Sequence, residues 1–361
     1  HQFVTEGDLV MIDDGNVQLQ VTEAQNKQIT CKVLVGGVVR KSKTVNVPGV
    51  HLEFADLTEK DRKDIRFAVE NNFDYISASY IRNMEDVLAI REAMGETDTK
   101  LIAKIENQEG VENFDRILGV VDGIMIARGD LGVELPLEQV PVLQKQFIQK
   151  ARQRGKLSIV ATQMLESMRE NPRPTRAEVS DVANAVMDGV DAVMLSAETS
   201  TGKYPVEAVE TMVKVAREAE RVLKSQPVVG RTSASEDTDI LCRYVYGMVQ
   251  DLNLKGVVVI SKTGKTISSL ARHRLGVPIW NVSSNPQLMR QLNVLRGVHG
   301  IHIKDFKDDR DETVMAATEV VYAQGSLELS DKVAIISGSS ITNKSTNSIV
   351  EISTVKDILN R

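Results

Sequence analysis

The chain has 361 residues, 42% of them apolar and 26% charged, with a formal net charge of −6. This composition fits a globular protein of two or three domains. The acidic balance, without a broad basic stripe, argues against nucleic acid as its main partner. No apolar run reaches the length of a membrane span and no stretch has the layout of a signal peptide. Only two cysteines occur, Cys31 and Cys242, far apart in apolar runs; reduced, buried thiols in a cytoplasmic protein are expected, and no zinc spacing exists. The first residue is His1 rather than Met and opens directly onto strand-like sequence, so a natural beginning upstream is expected.

Residues 1–47 alternate with a two-residue period. VMI and VQLQV flank Asp14-Gly15, ITCKVLV follows a turn near Asn26, and Gly36-Gly37 leads to a further polar strand ending in TVNV. This pattern predicts a small antiparallel β module. Pro48-Gly49 then reads as a hinge. Beyond it the period changes. A helix is expected over 58–71 with Thr58 as its N-cap, then strands near 75–79, 101–105, 123–127, 157–161 and 192–196. Helices are expected between and after them, near 83–94, 110–118, 137–153, 175–188 and 205–224. The helix at 176–188 is well signalled: Thr175 with Glu178 makes a capping box, Val179, Val182, Ala183 and Val186 make an apolar stripe, and Gly189 ends it. Strands alternating with helices predict a parallel sheet. Five such units are too few for a closed eight-fold barrel but have its spacing; with three units upstream of His1, the β module would be an insertion in one βα loop. Residues 225–239 read as a linker, and a second α/β pattern follows to Arg361. Its helices are expected at 238–252, 266–274, 286–294 and 311–324, alternating with the strands GVVVIS, PIWNV, GIHI and KVAIIS, and NSIVEIS closes it.

The chemistry gathers at the expected carboxyl ends of the first five parallel strands. SASYIR carries Ser77, Ser79 and Arg82; AKIEN carries Lys104 and Glu106; ARGD carries Arg128 and Asp130; ATQM carries Thr162 and Gln163; LSAE carries Ser196 and Glu198. Charge at one strand end is ordinary solvation, but the tips of parallel strands converge on one face, where α/β enzymes place their active sites. Alternation puts Lys104 beside Glu106 and Arg128 beside Asp130. Two carboxylates with an adjacent Lys suit Mg²⁺ and phosphate, because Mg²⁺ favours a couple of carboxylates plus substrate oxygens. The amides of Gly129 and Asp130, at a short helix start, offer a seat for a carboxylate. In the second half, Ser261-Lys262-Thr263-Gly264-Lys265-Thr266 offers hydroxyls, amides and ammonium groups to phosphate; it is not a Walker A loop, because the first glycine of that motif falls at Val259.

KIENQEG, DGIMIARGDLGVELP, ATQMLESM, NPRPTRAEVSDVANAV and DGVDAVMLSAETSTGKYP together resemble the signatures of the pyruvate kinase family, in order and over nearly the whole chain. The resemblance implies a (β/α)8 TIM barrel carrying an inserted β-rich domain and followed by a C-terminal α/β domain. On this chain that means residues 1–47 as part of the β-rich lid, 48–229 as the remaining barrel without its first three βα units, and 230–361 as the regulatory domain. It implies phosphoryl transfer from phosphoenolpyruvate to ADP, giving pyruvate and ATP in the last step of glycolysis. It implies Glu106 and Asp130 as ligands of Mg²⁺ or Mn²⁺, and Lys104 as the cation facing the phosphoryl group in flight. Residues Ala127, Arg128, Gly129, Asp130 and Thr162 would hold substrate. Thr162 and Ser196 would relay a proton to the enolate carbon, with Glu198 orienting Ser196. Asp14 would approach nucleotide when the lid closes, or serve its turn alone. A sugar-phosphate effector at residues 261–266, a homotetramer, a cytoplasmic setting and no membrane partner are also implied. In a second loop, GSSITNKSTNS, Lys344 and Ser345 stand where the family has Gly-Thr, which leaves the effector's identity open. The family's K⁺ ligands and an Arg facing the phosphate lie on strands that have no counterpart here, so the chain alone is expected to lack appreciable kinase activity. Two rivals remain at this point: an aldolase-type barrel, using Lys104 as Schiff-base nucleophile or Glu106 and Asp130 with a metal to hold an enolate, and a non-catalytic regulatory relative.

Overall fold

A computed structural model of the chain describes residues 1–50, 57–223, 228, 230–304, 306–307, 309–338 and 348–361. It divides into two compact units: His1–Phe147 with Ile159–Val182 and Val193–Met212, and Ile148–Ser158 with Ala183–Ala192 and Val213–Arg361.

The first unit opens with a four-stranded antiparallel sheet of β1 (Leu9–Ile12), β2 (Val17–Gln25), β3 (Gln28–Val35) and β4 (Val45–Asn46), in the order β3-β2-β1-β4. Asn26 and Lys27 both take positive φ, 52° and 63°, between the paired Gln25 and Gln28. This is the two-residue hairpin turn expected near Asn26, and its twist matches that of the strands. Val4, Val10 and Val21 form the small core, whereas β3 lies exposed along nearly its whole length. The expected strand ending in TVNV shrinks to the two residues of β4. The preceding run carries Arg40, Lys41 and Lys43, whose charges stay exposed at the surface, and Lys43 ties itself to Asp13 at 2.5 Å instead of joining a ladder. Gly49 has φ 77°, the expected turn after Pro48.

The βα alternation follows as read. Helix α1 (Glu59–Glu70) starts on Thr58, whose hydroxyl accepts from the Asp61 amide while Asp61 accepts from the Thr58 amide. Then come β5 (Tyr75–Ala78), α2 (Met84–Met94), β6 (Lys100–Ile105), α3 (Gln108–Glu112), α4 (Phe114–Val120), β7 (Gly123–Ala127), α5 (Arg128–Glu134), α6 (Val140–Gln153), β8 (Leu157–Ala161), α7 (Arg176–Met187), β9 (Ala192–Val193), α8 (Ala197–Ser200) and α9 (Pro205–Val222). The five strands lie in chain order, β5-β6-β7-β8-β9, and β5, β6 and β7 pair in parallel. Strands β7 and β8 are buried on both faces, as strands covered on each side must be. Phe114 stacks on Phe147 with ring centroids 3.9 Å apart, joining α4 to α6.

Two expectations are corrected here. The helix read at 110–118 is two helices, because the Asn113 side chain donates to the Arg82 and Glu109 carbonyls and breaks the ladder locally. The strand read at 192–196 stops at Val193, since the chain turns at Ser196 to place its amide on Glu198.

The second unit holds α10 (Glu236–Asp251), β10 (Val257–Ile260), α11 (Lys265–Ala271), β11 (Ile279–Ser283), α12 (Pro286–Leu292), β12 (Val298–His302), α13 (Arg310–Ala323), β13 (Lys332–Gly338), β14 (Ser348–Thr354) and α14 (Val355–Leu359). Its sheet runs β12-β11-β10-β13-β14, parallel except for β14. Val258, Trp280, Val282, Val314, Val321 and Ile335 pack the core between this sheet and α13–α14. Helix α14 was missed in the sequence, although Thr354 and Asp357 spell its cap: the Asp357 amide donates to the Thr354 hydroxyl at 3.1 Å. Within the same unit His273 is buried, and its Nδ1 accepts the Val228 amide at 3.0 Å. Burial, with Arg272 and Arg152 nearby, pushes its imidazole down to about 4. Among the described residues no helix is long and apolar enough to cross a membrane.

Candidate active site

The carboxyl ends of β5 to β9 in the first unit bring most of the expected side chains together. On β6 alternation places Lys104 and Glu106 side by side, and the Lys104 ammonium sits 2.7 Å from Glu106 Oε1. It also donates to Ser79 Oγ at 2.9 Å, reaching the end of β5. Glu106 is only 1% exposed, a burial that a carboxylate tolerates when paired and hydrogen-bonded. Its second oxygen, Oε2, accepts the backbone N–H of Tyr80 at 2.6 Å. Tyr80 holds φ 55°, a left-handed conformation that is uncommon for a bulky side chain. From there its phenol donates to Asp130 Oδ1 at 3.1 Å. One residue thus touches both acidic groups. Burial, then the charge of Asp130, push the phenol up to about 12, so it stays a donor. Asn46, at the end of β4, lies near that phenol and donates to Glu134 Oε1 at 2.9 Å.

Arg128 and Asp130 do not share a strand face as read. Strand β7 ends at Ala127 and α5 begins at Arg128, so the two side chains diverge around the first helical turn. The Arg128 side chain, 12% exposed, pairs with Asp181 at 2.6 Å and donates to the Thr162 carbonyl at 2.9 Å. It braces the loop after β8. In that loop Thr162 and Gln163 both have positive φ, 72° and 54°, a strained pair of non-glycine residues. The Thr162 hydroxyl accepts the Gly129 amide at 2.7 Å and donates to the Ala161 carbonyl at 2.6 Å. Glu198 is fully buried and accepts two amides: Leu165 at 3.1 Å and Ser196 at 2.8 Å. It therefore ties the loop after β8 to the turn that presents Ser196. Glu178 in α7 plays a similar part below, taking the Ser167 amide at 2.7 Å and the Thr175 amide at 2.7 Å. Burial opposes its ionisation, but the bonds from Ser167 and Thr175 outweigh that and hold the carboxyl below its usual range.

Other expected residues are spent elsewhere. Arg82 forks onto Asp86 at 2.7 and 3.0 Å, at the start of α2. Asp14 sits in its turn and accepts from the Thr44 hydroxyl at 3.1 Å. A cavity of about 1040 Å³ borders β5 and shares Ser79 and Tyr80 with this group, but Lys104, Glu106, Asp130 and Thr162 do not line it. The chemistry lies at the strand tips and not in that larger hollow. Tyr80 and Asn46 were missed. Only Tyr80's place inside SASYIR could have signalled it.

Among the described residues no group of three or more His, Cys, Asp and Glu side chains is gathered as a metal cage. Glu106 and Asp130 are instead a pair linked through one residue, a donor set that fits Mg²⁺ or Mn²⁺ completing its shell with substrate oxygens and water.

In the second unit, Gly264 takes φ 74° at the start of α11, and a Cβ there would fall 2.8 Å from Leu292. Only glycine fits that turn. Its amide donates to Ser261 Oγ at 3.0 Å, while Lys262, Thr263 and Lys265 are exposed around it. Residues 339–347 of the second expected loop lie outside the described residues.

Known proteins resemble this chain along nearly its whole length. The family model described as pyruvate kinase, barrel domain, matches residues 1–209, and that of the pyruvate kinase alpha/beta domain matches residues 239–352. A protein named pyruvate kinase from Geobacillus stearothermophilus is 42% identical over 99% of this chain and 62% of its own length. Proteins of the same name from Clostridium acetobutylicum and Schizosaccharomyces pombe are 39% and 42% identical, over 99% and 93% of this chain and 76% and 69% of their own. The chain thus spans about three-fifths of the Geobacillus relative.

Proposed function

The chain belongs to the pyruvate kinase family, and from that premise we propose that the protein carrying it transfers the phosphoryl group of phosphoenolpyruvate to ADP. The observation that supports this most is the convergence of Lys104, Glu106, Tyr80 and Asp130 in one hydrogen-bonded group at the ends of adjacent strands. In this reading Glu106 and Asp130 hold Mg²⁺ or Mn²⁺, which when bound supplies positive charge to phosphate and enolate oxygens. Lys104 adds a fixed cation against the phosphoryl oxygens, the electrostatic work that dominates such transfers. The amides of Gly129 and Asp130, with the Thr162 hydroxyl that meets the Gly129 amide, hold the substrate carboxylate in this reading. Thr162 relays a proton towards the enolate carbon together with Ser196, whose amide Glu198 holds in place. Arg128 contributes by fixing the Thr162 loop, and Ala127 by closing the strand beneath it.

The reading extends to a sugar phosphate at residues 261–266, a homotetramer, a cytoplasmic setting and a K⁺ requirement to which no residue of this chain is assigned. Of the two cysteines expected to be buried, Cys242 is, whereas Cys31 on the exposed β3 is only partly so. Lys104 is engaged by Glu106 and Ser79, a placement that argues against the Schiff-base rival.

The test is Mn²⁺ titration followed by electron paramagnetic resonance. The chain is expected to bind Mn²⁺ more tightly with phosphoenolpyruvate present, E106Q and D130N to lose that binding, and K104M to keep Mn²⁺ but lose the enhancement. Equal Mn²⁺ binding by the parent and E106Q would refute the assignment.

A further inference from the structure

Tyr80 is the residue no part of the expected site accounts for, yet it contacts both acidic groups. Its amide donates to Glu106 at 2.6 Å and its phenol to Asp130 at 3.1 Å. One residue thus makes both bonds from a left-handed backbone at φ 55°. An ordinary extended residue at a strand tip would send its amide along the ladder and its side chain off the sheet. Non-glycine residues persist in that region only where the surroundings over-determine them, and here Glu106 and Asp130 do so. Glu106 is anchored independently by Lys104. Asp130 stands on the first turn of a seven-residue helix, and its Oδ1 accepts from the phenol.

We propose that Tyr80 is a positioning residue for the divalent cation: its phenol fixes Asp130 Oδ1 so that the other carboxylate oxygen stays in register with Glu106. The inference rests on Glu106 and Asp130 being the metal-binding pair. A partner that orients a ligating carboxylate sets both affinity and the tightness of the shell, and Mg²⁺ and Mn²⁺ need a tighter, more regular shell than Ca²⁺.

The test compares Y80F, which keeps the ring and the backbone, with the parent chain in Mn²⁺ and Ca²⁺ titrations by calorimetry, alongside E106Q. Y80F is expected to bind Mn²⁺ roughly 10-fold more weakly and Ca²⁺ less than about threefold more weakly. Y80L, which lacks the hydroxyl as well, is expected to show the same difference between the two metals, and it serves if Y80F does not fold. Loss of Mn²⁺ binding in E106Q with unchanged or tighter binding in Y80F overturns the role of Tyr80 and leaves the site intact. Equal losses for Mn²⁺ and Ca²⁺, with a lower metal-free melting temperature, mean a purely structural residue and also overturn it. No Mn²⁺ binding by the parent chain, or E106Q indistinguishable from it, removes both the inference and the reading beneath it.

Discussion

Replacing Glu198 should show how the loops around Thr162 and Ser196 are held. The carboxylate is fully buried and accepts the Leu165 amide at 3.1 Å and the Ser196 amide at 2.8 Å. In E198A both N–H groups lose their acceptor inside the protein. Each stranded donor costs about 1–3 kcal/mol, so local opening of the two loops should become easier by about 4 kcal/mol. E198Q keeps one acceptor oxygen but turns an amide NH₂ towards the other N–H, and about 2 kcal/mol is expected from one lost bond. Hydrogen–deuterium exchange read by mass spectrometry on peptides covering 162–168 and 194–200 measures this directly. A change of 4 kcal/mol corresponds to nearly three decades of exchange rate, and 2 kcal/mol to more than one. Protection within tenfold of the parent in E198A, or equal damage from both variants, would refute the argument.

Three further outcomes follow from the same kind of accounting. His273 is held neutral, with its pKa down at about 4 against about 6.5 unfolded. A depressed pKa means the unfolded chain binds the proton first, so this contribution is complete above pH 6.5 and is lost as pH falls towards 4. The loss is at most about 3 kcal/mol, and urea titrations of H273N, whose amide oxygen can still accept the Val228 amide, should show a flatter profile over that window. G110A should destabilise despite the better helix former, because the new Cβ would lie 2.6 Å from the Ile81 carbonyl, a backbone atom with little room to yield; about 1–3 kcal/mol is expected in urea denaturation, and a gain in stability would contradict the tight approach. S167A should lower stability by about 1–2 kcal/mol through its lost bond to the Glu178 carboxylate, with an accompanying rise in the Glu178 pKa measurable by NMR.

The fold was legible wherever local chemistry decides it. The Thr58 and Thr175 caps, the Asn26 turn and the β5 to β8 runs each carry their instruction within a few residues. The reading failed where a distant partner decides. Asn113 breaks a helix because the Arg82 carbonyl is within reach, and β9 ends early because Glu198 draws in the Ser196 amide. The β-module strand near residue 40 dissolved because its lysines and arginine stayed exposed and one found Asp13.

The candidate site divides in the same way. Strand alternation was enough to bring Lys104 to Glu106. It misplaced Arg128, since the switch from strand to helix at that residue rotates its side chain towards Asp181. Tyr80 had only its place inside SASYIR to signal it, because its part depends on a positive φ that no local pattern of residues announces.

The central claim is that the carboxylates at the ends of β6 and β7 hold a divalent cation against the phosphate of phosphoenolpyruvate. Phosphorus-31 NMR of that ligand with substoichiometric Mn²⁺ tests it most directly, since paramagnetic broadening falls steeply with the metal–phosphorus distance. Broadening well beyond that from Mn²⁺ alone, present in the parent chain and absent in E106Q and D130N, is the predicted result. Broadening no greater than with Mn²⁺ alone, or undiminished in either variant, would contradict the account.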